Sequence, residues 1–148
     1  MIIDEIDRKI LDELLKDARR SSREISRATG VSVGTVLTRI RRMEKDGLIK
    51  GYSVVIDHEK FGYELSAVIE LTVSKGKLLE VDDKIAKIPN VCAVYDTTGL
   101  TDAIVVAKFK NREDLSNFTK ASLALPHVER TNTHMVLTTV KEDFRLVK

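Results

Sequence analysis

Apolar residues recur at helical spacing three times within the first fifty positions. Ile6, Ile10, Leu11, Leu14 and Leu15 follow one another at steps of one, three and four, which predicts an amphipathic helix. Asp4, Glu5 and Asp7 stand near its start and Lys16, Arg19 and Arg20 near its end, where each sign suits the helix macrodipole. A second, shorter helix opens at Ser21, with Glu24 three residues on to complete a capping box. Its inward positions are Ile25 and Ala28, and Gly30 is placed to take the left-handed conformation that closes it. Ser32 is the predicted N-cap of a third helix, in which Val33, Val36, Ile40 and Met43 form the buried stripe. Gly47 ends that pattern.

Beyond Gly47 the periodicity shortens. Leu48–Ile56 reads as an extended connector, and Asp57–Gly62 as a turn at a domain boundary. An internal repeat follows. A β-rich run, Leu65 to Val73, leads to a helix with Leu78, Val81, Ile85 and Ile88, which stops at Pro89. A second run, Ala103 to Phe109, leads to a helix with Leu115 and Phe118, which stops before Pro126. The two prolines are 37 residues apart, and each precedes another β-rich run. Two β-α-β units in tandem predict a ferredoxin-like βαββαβ domain, with both helices on one face of a four-stranded antiparallel sheet. The fold class is therefore α+β. Residues 1–50 are expected to form a helix-turn-helix domain, 51–62 a connector, and 63–148 the ferredoxin-like domain. Ile104 and Val106 place apolar groups on the sheet face that no helix covers, and the last run (Val128, Met135, Val136, Leu137, Val140) has apolar residues of both parities. An uncovered apolar face predicts a symmetric dimer.

Composition narrows the class. The chain has 148 residues, 43% hydrophobic and 32% charged, which suffices for a packed core and fits one or two small domains. No apolar run approaches the roughly 20 residues of a membrane span, and Met1-Ile2-Ile3-Asp4-Glu5 lacks the basic start of an export signal, so a cytoplasmic chain is expected. One cysteine, Cys92, excludes an intramolecular disulfide, and His58, His127 and His134 lack metal-ligand spacing. With no P-loop, Rossmann fingerprint or nucleophile elbow, neither an enzyme nor a cofactor is expected.

Charge is unevenly spread. From Arg20 to Lys50 eight bases face three acids, whereas residues 51–148 carry thirteen bases and fourteen acids. Two short helices joined at a glycine, the second with hydroxyls and arginines on its outer face, describe a DNA-reading helix-turn-helix. Ser32, Thr35, Thr38 and Arg39 are placed to reach base edges. Arg23, Arg42 and Lys45 suit phosphates, with Ser22 beside Arg23 at the start of the second helix. Arg39 could instead pair with an acid of the first helix. Between the β-α-β units, Thr97-Thr98-Gly99-Leu100-Thr101-Asp102 offers hydroxyls, a permissive glycine and a carboxylate. Gly99, Thr101 and Asp102 are candidate effector contacts, and Thr131 and Thr133, on one face of the last strand, could complete a pocket. The residues leave two other readings open: a stand-alone amino-acid-binding module, and a chromosome-coating protein that binds DNA through phosphates alone.

Taken together, several segments resemble the Lrp/AsnC (feast/famine) family of transcription regulators, most of all its archaeal type. They are Asp4–Leu11, Asp17-Ala18-Arg19, Glu24-Ile25, Gly30-Val31-Ser32 and Arg39–Ile49, then Gly99-Leu100-Thr101-Asp102 as a Gly-x-x-Asp loop and Val128–Thr133 as the closing strand. The resemblance covers nearly the whole chain. It implies a winged-helix-like head on double-stranded DNA and a ferredoxin-like domain that forms homodimers, tetramers and octamers. It also implies an amino-acid effector near Gly99, Thr101 and Asp102, although Thr101 stands where the family often has an aromatic residue.

Overall fold

The computed structural model describes residues 2–146, so Met1, Val147 and Lys148, at the outer ends of the expected domains, lie outside the described residues. The chain divides into two compact units. One comprises residues up to Val55 together with the tail from Lys141, and the other is Ile56–Val140.

The first unit holds α1 (Glu5–Lys16), α2 (Ser22–Thr29) and α3 (Val33–Lys45). Each opens on a side-chain cap. Asp4 and Asp7 form a reciprocal capping box on α1, as Ser21 and Glu24 do on α2, and Ser32 accepts the Thr35 N–H on α3. Gly30 takes a left-handed φ of 72° and closes α2. The core is Ile10, Ile25, Val36 and Met43, all fully buried, with Ile6, Leu11, Leu14, Val31, Ile40 and Ile49 packed around them. Two expected inward positions differ. Ala28 is exposed because α2 has two turns and presents only Ile25 to the core, and Val33 is exposed because it is the first residue of α3, ahead of the packed turns. Residues 46–55 carry no strand pairing. Within them the Tyr52 hydroxyl donates to Glu44 Oε1 at 2.8 Å, and burial together with that carboxylate pushes the phenol up to about 12.

The second unit has β1 (Leu65–Val73), α4 (Leu78–Ile85), β2 (Val91–Asp96), β3 (Ala103–Phe109), α5 (Arg112–Leu123) and β4 (Val128–Met135), with the antiparallel sheet in the order β2-β3-β1-β4. This is the βαββαβ arrangement. Residues directly opposite on neighbouring strands share a face. Ala67, Ile69 and Leu71 on β1 and Ala103, Val105, Ala107 and Phe109 on β3 are buried against Val81 and Ile85 of α4 and Phe118 of α5. The Phe109 and Phe118 rings meet at 5.3 Å and 59°, a tilted aromatic pair. The other face carries Ala93, Tyr95, Val68, Ile104 and Val106 across β2, β3 and β1, flanked there by Ser66, Glu70 and Lys108, and is polar along β4 with Arg130, Asn132 and His134. β4 ends at Met135, so Leu137 and Val140 lie beyond the sheet, fully exposed. No helix among the described residues is long and apolar enough to cross a membrane.

Candidate nucleic-acid interface and effector loop

α2 and α3 meet at the Gly30–Ser32 turn, and the outer face of α3 is built from its N-terminus onward. Ser32 Oγ lies 2.9 Å from Thr35 Oγ1, so the two hydroxyls form a pair at the helix start. Thr38 Oγ1 donates to Gly34 O at 2.9 Å, which leaves its lone pairs outward. Ser32 and Thr38 are exposed and Thr35 half-buried. Arg23 and Lys45 are exposed, with Ser22 half-buried in the first turn of α2. Exposed Leu37 and Arg41 lie on the same helix. Leu37 was not anticipated, because an apolar residue in a helix is first read as core. In a reading helix it is a surface for a thymine methyl group.

Arg39 and Arg42 are engaged with α1. Arg39 Nη1 donates to Asp4 Oδ2 at 2.5 Å and to both oxygens of Asp7 at 3.2 and 3.3 Å. Arg42 Nη2 donates to Asp7 as well. Asp7 is fully buried and also accepts the Asp4 N–H at 3.1 Å. The Asp7 N–H, then the Arg39 guanidinium, hold the Asp4 carboxyl below its ordinary range. Of the two roles open to Arg39, the ion pair with the first helix is the one it takes here.

In the second unit the loop from Thr97 to Asp102 is pinned at one end. Asp102 Oδ2 accepts the Val73 N–H at 2.8 Å, the Asp102 N–H donates to Leu71 O at 2.9 Å, and Thr101 Oγ1 donates to Leu71 O at 2.8 Å. Gly99 has a φ of 120°, which a side chain would strain. Thr101 and Leu100 line a cleft of about 230 Å³ with Glu70, Thr72, Arg130 and Asn132. Thr131 and Thr133 pair across from Leu71 and Ile69, so they lie on the helix-covered face, opposite to Arg130 and Asn132. The sheet therefore gathers Thr101 with Arg130, Asn132 and Glu70, and turns Thr131 and Thr133 the other way. Glu70 accepts from Asn132 Nδ2 at 3.0 Å, a bond that, with His134 and Arg130 nearby, holds its carboxyl below the usual range.

Just before the loop, Asp96 at the end of β2 faces Asp82 on α4. Asp82 Oδ1 is buried without a hydrogen-bond partner, and burial, then the Asp96 carboxyl, push Asp82 up to about 7. The folded chain therefore holds a proton there that the unfolded chain releases near 4. The resulting stability is complete below pH 4 and is lost as pH rises through 7. Asp82→Asn is expected to remove that slope and to raise stability at pH 8 by about 1–2 kcal/mol, after discounting for the half-exposed site. Urea unfolding of both proteins at pH 4, 6 and 8 checks this, and parallel pH profiles would refute it.

Residues 3–50 match the winged helix-turn-helix DNA-binding family, and residues 66–146 match the Lrp/AsnC ligand binding domain. An uncharacterised HTH-type transcriptional regulator of Pyrococcus horikoshii is 49% identical over 146 residues, covering 99% of each chain. The HTH-type transcriptional regulator FL11 of the same organism is 42% identical, covering 97% of this chain and 95% of that protein. Among solved structures, a transcriptional regulator of Neisseria meningitidis in complex with L-Met is 26% identical with a TM-score of 0.89, over 98% of this chain and 96% of that one. LrpC of Bacillus subtilis is 29% identical with a TM-score of 0.85, over 97% and 100%. Two matched domains in the observed order, with relatives this similar along their full length, establish that the chain belongs to the Lrp/AsnC family of transcription regulators.

Proposed function

We propose that this regulator is a cytoplasmic homodimer that binds specific double-stranded DNA sites and answers to an amino acid, with no enzymatic activity of its own. The observation that carries the DNA reading is the outer face of α3, where Ser32, Thr35 and Thr38 follow one another at steps of three from the N-cap, with exposed Leu37 on the adjoining flank. Arg23 and Lys45 are the phosphate contacts of this proposal, with Ser22 at the start of α2 beside them. Arg39 and Arg42 contribute from α3, where they are paired with the carboxylates at the start of α1. The dimer is built on the open sheet face, where Ala93, Tyr95, Val68, Ile104 and Val106 form an apolar patch on the side of the sheet away from α4 and α5. Two heads per dimer suit a pseudo-palindromic site, and dimers of this kind can assemble into tetramers and octamers.

For the effector, the cleft beside Thr101 supplies a guanidinium, Arg130, and a carboxylate, Glu70, which complement the two charges of an amino acid. That the related Neisseria structure holds L-Met supports this chemical class. Gly99 sets the turn of the loop, and Asp102 braces it against β1. Thr131 and Thr133 act from beneath the sheet by fixing β4.

Fluorescence anisotropy tests the proposal, using a duplex from upstream of this protein's own gene, a scrambled duplex and a salt series. A preference for the native duplex that persists at physiological salt is expected. Thr38→Ala should weaken that preference by about 1–3 kcal/mol, the cost of one base contact, with the fold intact. Equal binding to both duplexes would favour a chromosome-coating protein. An amino acid that binds while neither duplex does would favour a stand-alone ligand module.

A further inference from the structure

Two of the basic residues on α3 are already occupied. Arg39 pairs with two carboxylates, Asp4 and Asp7, and Arg42 with Asp7, both acids belonging to the start of α1 more than thirty positions away in sequence. The two acids are not equivalent. Asp7 is fully buried, whereas the Asp4 side chain is 45% exposed and that of Arg39 is 23% exposed. Asp7 therefore anchors Arg42 from within, and Asp4 covers Arg39 from the solvent side. A carboxylate and a DNA phosphate present the same chemistry to a guanidinium, an anion with oxygens that accept N–H donors.

We propose that Asp4 is an internal phosphate mimic, holding Arg39 in competition with the DNA backbone and so lowering affinity for DNA of any sequence. The inference rests on the DNA-binding reading of α3. Phosphate contacts carry affinity but no sequence information. Masking one cation thus weakens binding to all DNA by a similar factor and leaves the base-reading positions, Thr35 and Thr38, to decide between sites. The proposal makes Asp4 a positioning residue that acts through Arg39.

Asp4→Asn is a clean variant because asparagine caps a helix about as well as aspartate. Its side-chain oxygen can still accept the Asp7 N–H that Asp4 Oδ1 accepts at 2.9 Å. The experiment measures the full chain against a fluorescein-labelled scrambled duplex over a salt series, with thermal melting to check the fold. Asp4→Asn is expected to bind several-fold tighter than wild type. Its log K against log salt slope should steepen by about 0.9, the counterion release of one added phosphate contact. Adding Arg39→Ala to Asp4→Asn should return both quantities to the wild-type values. If Arg39→Ala does not fold, Arg39→Gln serves, since its amide can still donate to Asp7.

An unchanged slope in Asp4→Asn overturns the inference. So does a gain that survives loss of Arg39, because it would then come from the removed charge alone. Both results leave the DNA-binding reading standing. Failure of the wild-type chain to bind either duplex at low salt would overturn the two together.

Discussion

Asp7→Ala is expected to destabilise the folded chain by about 3 kcal/mol, the largest loss from any single charged residue in the first unit. Asp7 is fully buried and does three things at once. Its carboxylate accepts the Asp4 N–H, completing the cap of α1, and it receives both Arg39 and Arg42 from α3. Removal leaves Arg39 with Asp4 alone and takes from Arg42 the carboxylate it donates to, and Arg42 Nε is already buried without a partner. Replacement by a small apolar residue creates unmet charge, which costs more than the lost attraction. Circular dichroism melts of the full chain should show the helical signal lost about 10 °C or more below wild type. Asp7→Asn keeps the shape and one acceptor, so it should fall between the two. A melt of Asp7→Ala within a degree or two of wild type would mean that the carboxylate is not what joins α1 to α3.

Val106→Asp is expected to convert a dimer into a monomer. Val106 lies on β3, opposite Val68 on β1 and Ala93 on β2, at the centre of the open sheet face. Its side chain points away from the core formed by Val105 and Ala107, so the substitution leaves packing under the helices intact. In a face-to-face dimer, however, the two-fold axis would bring two carboxylates together in an apolar interface, where like charges repel and each loses its water. Light scattering coupled to size exclusion should move from twice the chain mass to the single-chain mass of 16.6 kDa. DNA affinity should drop with it, because one head then binds without the second. A variant that stays dimeric would place the self-association surface elsewhere on the chain.

How far the sequence could be read depends on the range of each interaction. The capping box of Ser21 and Glu24 and the glycine close of α2 are local, and both stand as expected. The repeat marked by Pro89 and Pro126 translated directly into two β-α-β units, because a helix stop and a following strand are also local signals. Asp4 and Asp7 were legible as acids at a helix start. Their pairing with Arg39 and Arg42 was legible only as an alternative for Arg39, since nothing in the spacing selects which distant cation arrives. For β4 the difficulty was parity. Alternation correctly groups Thr131 and Thr133 with Met135, but the run is polar in both phases. Only the pairing of Thr133 with Ile69 shows that this set faces the helices and that Arg130 and Asn132 face the cleft.

The central place of β1 in the sheet has a consequence during synthesis. The hydrophobic centre of the first unit, Ile10 through Ile49, is complete once about fifty residues have left the ribosome. β1 emerges soon afterwards and must wait, because one edge pairs with β3 and the other with β4, the last strand to be made. Nascent chains grow at about 5–20 residues per second, so its two edges stay bare for several seconds. The segment Leu65-Ser66-Ala67-Val68-Ile69-Glu70-Leu71-Thr72-Val73 is otherwise a sticky, β-prone stretch of the kind that aggregates. Glu70, in its middle, is the only charge the strand carries through that interval, and so acts as its gatekeeper before it ever meets Asn132.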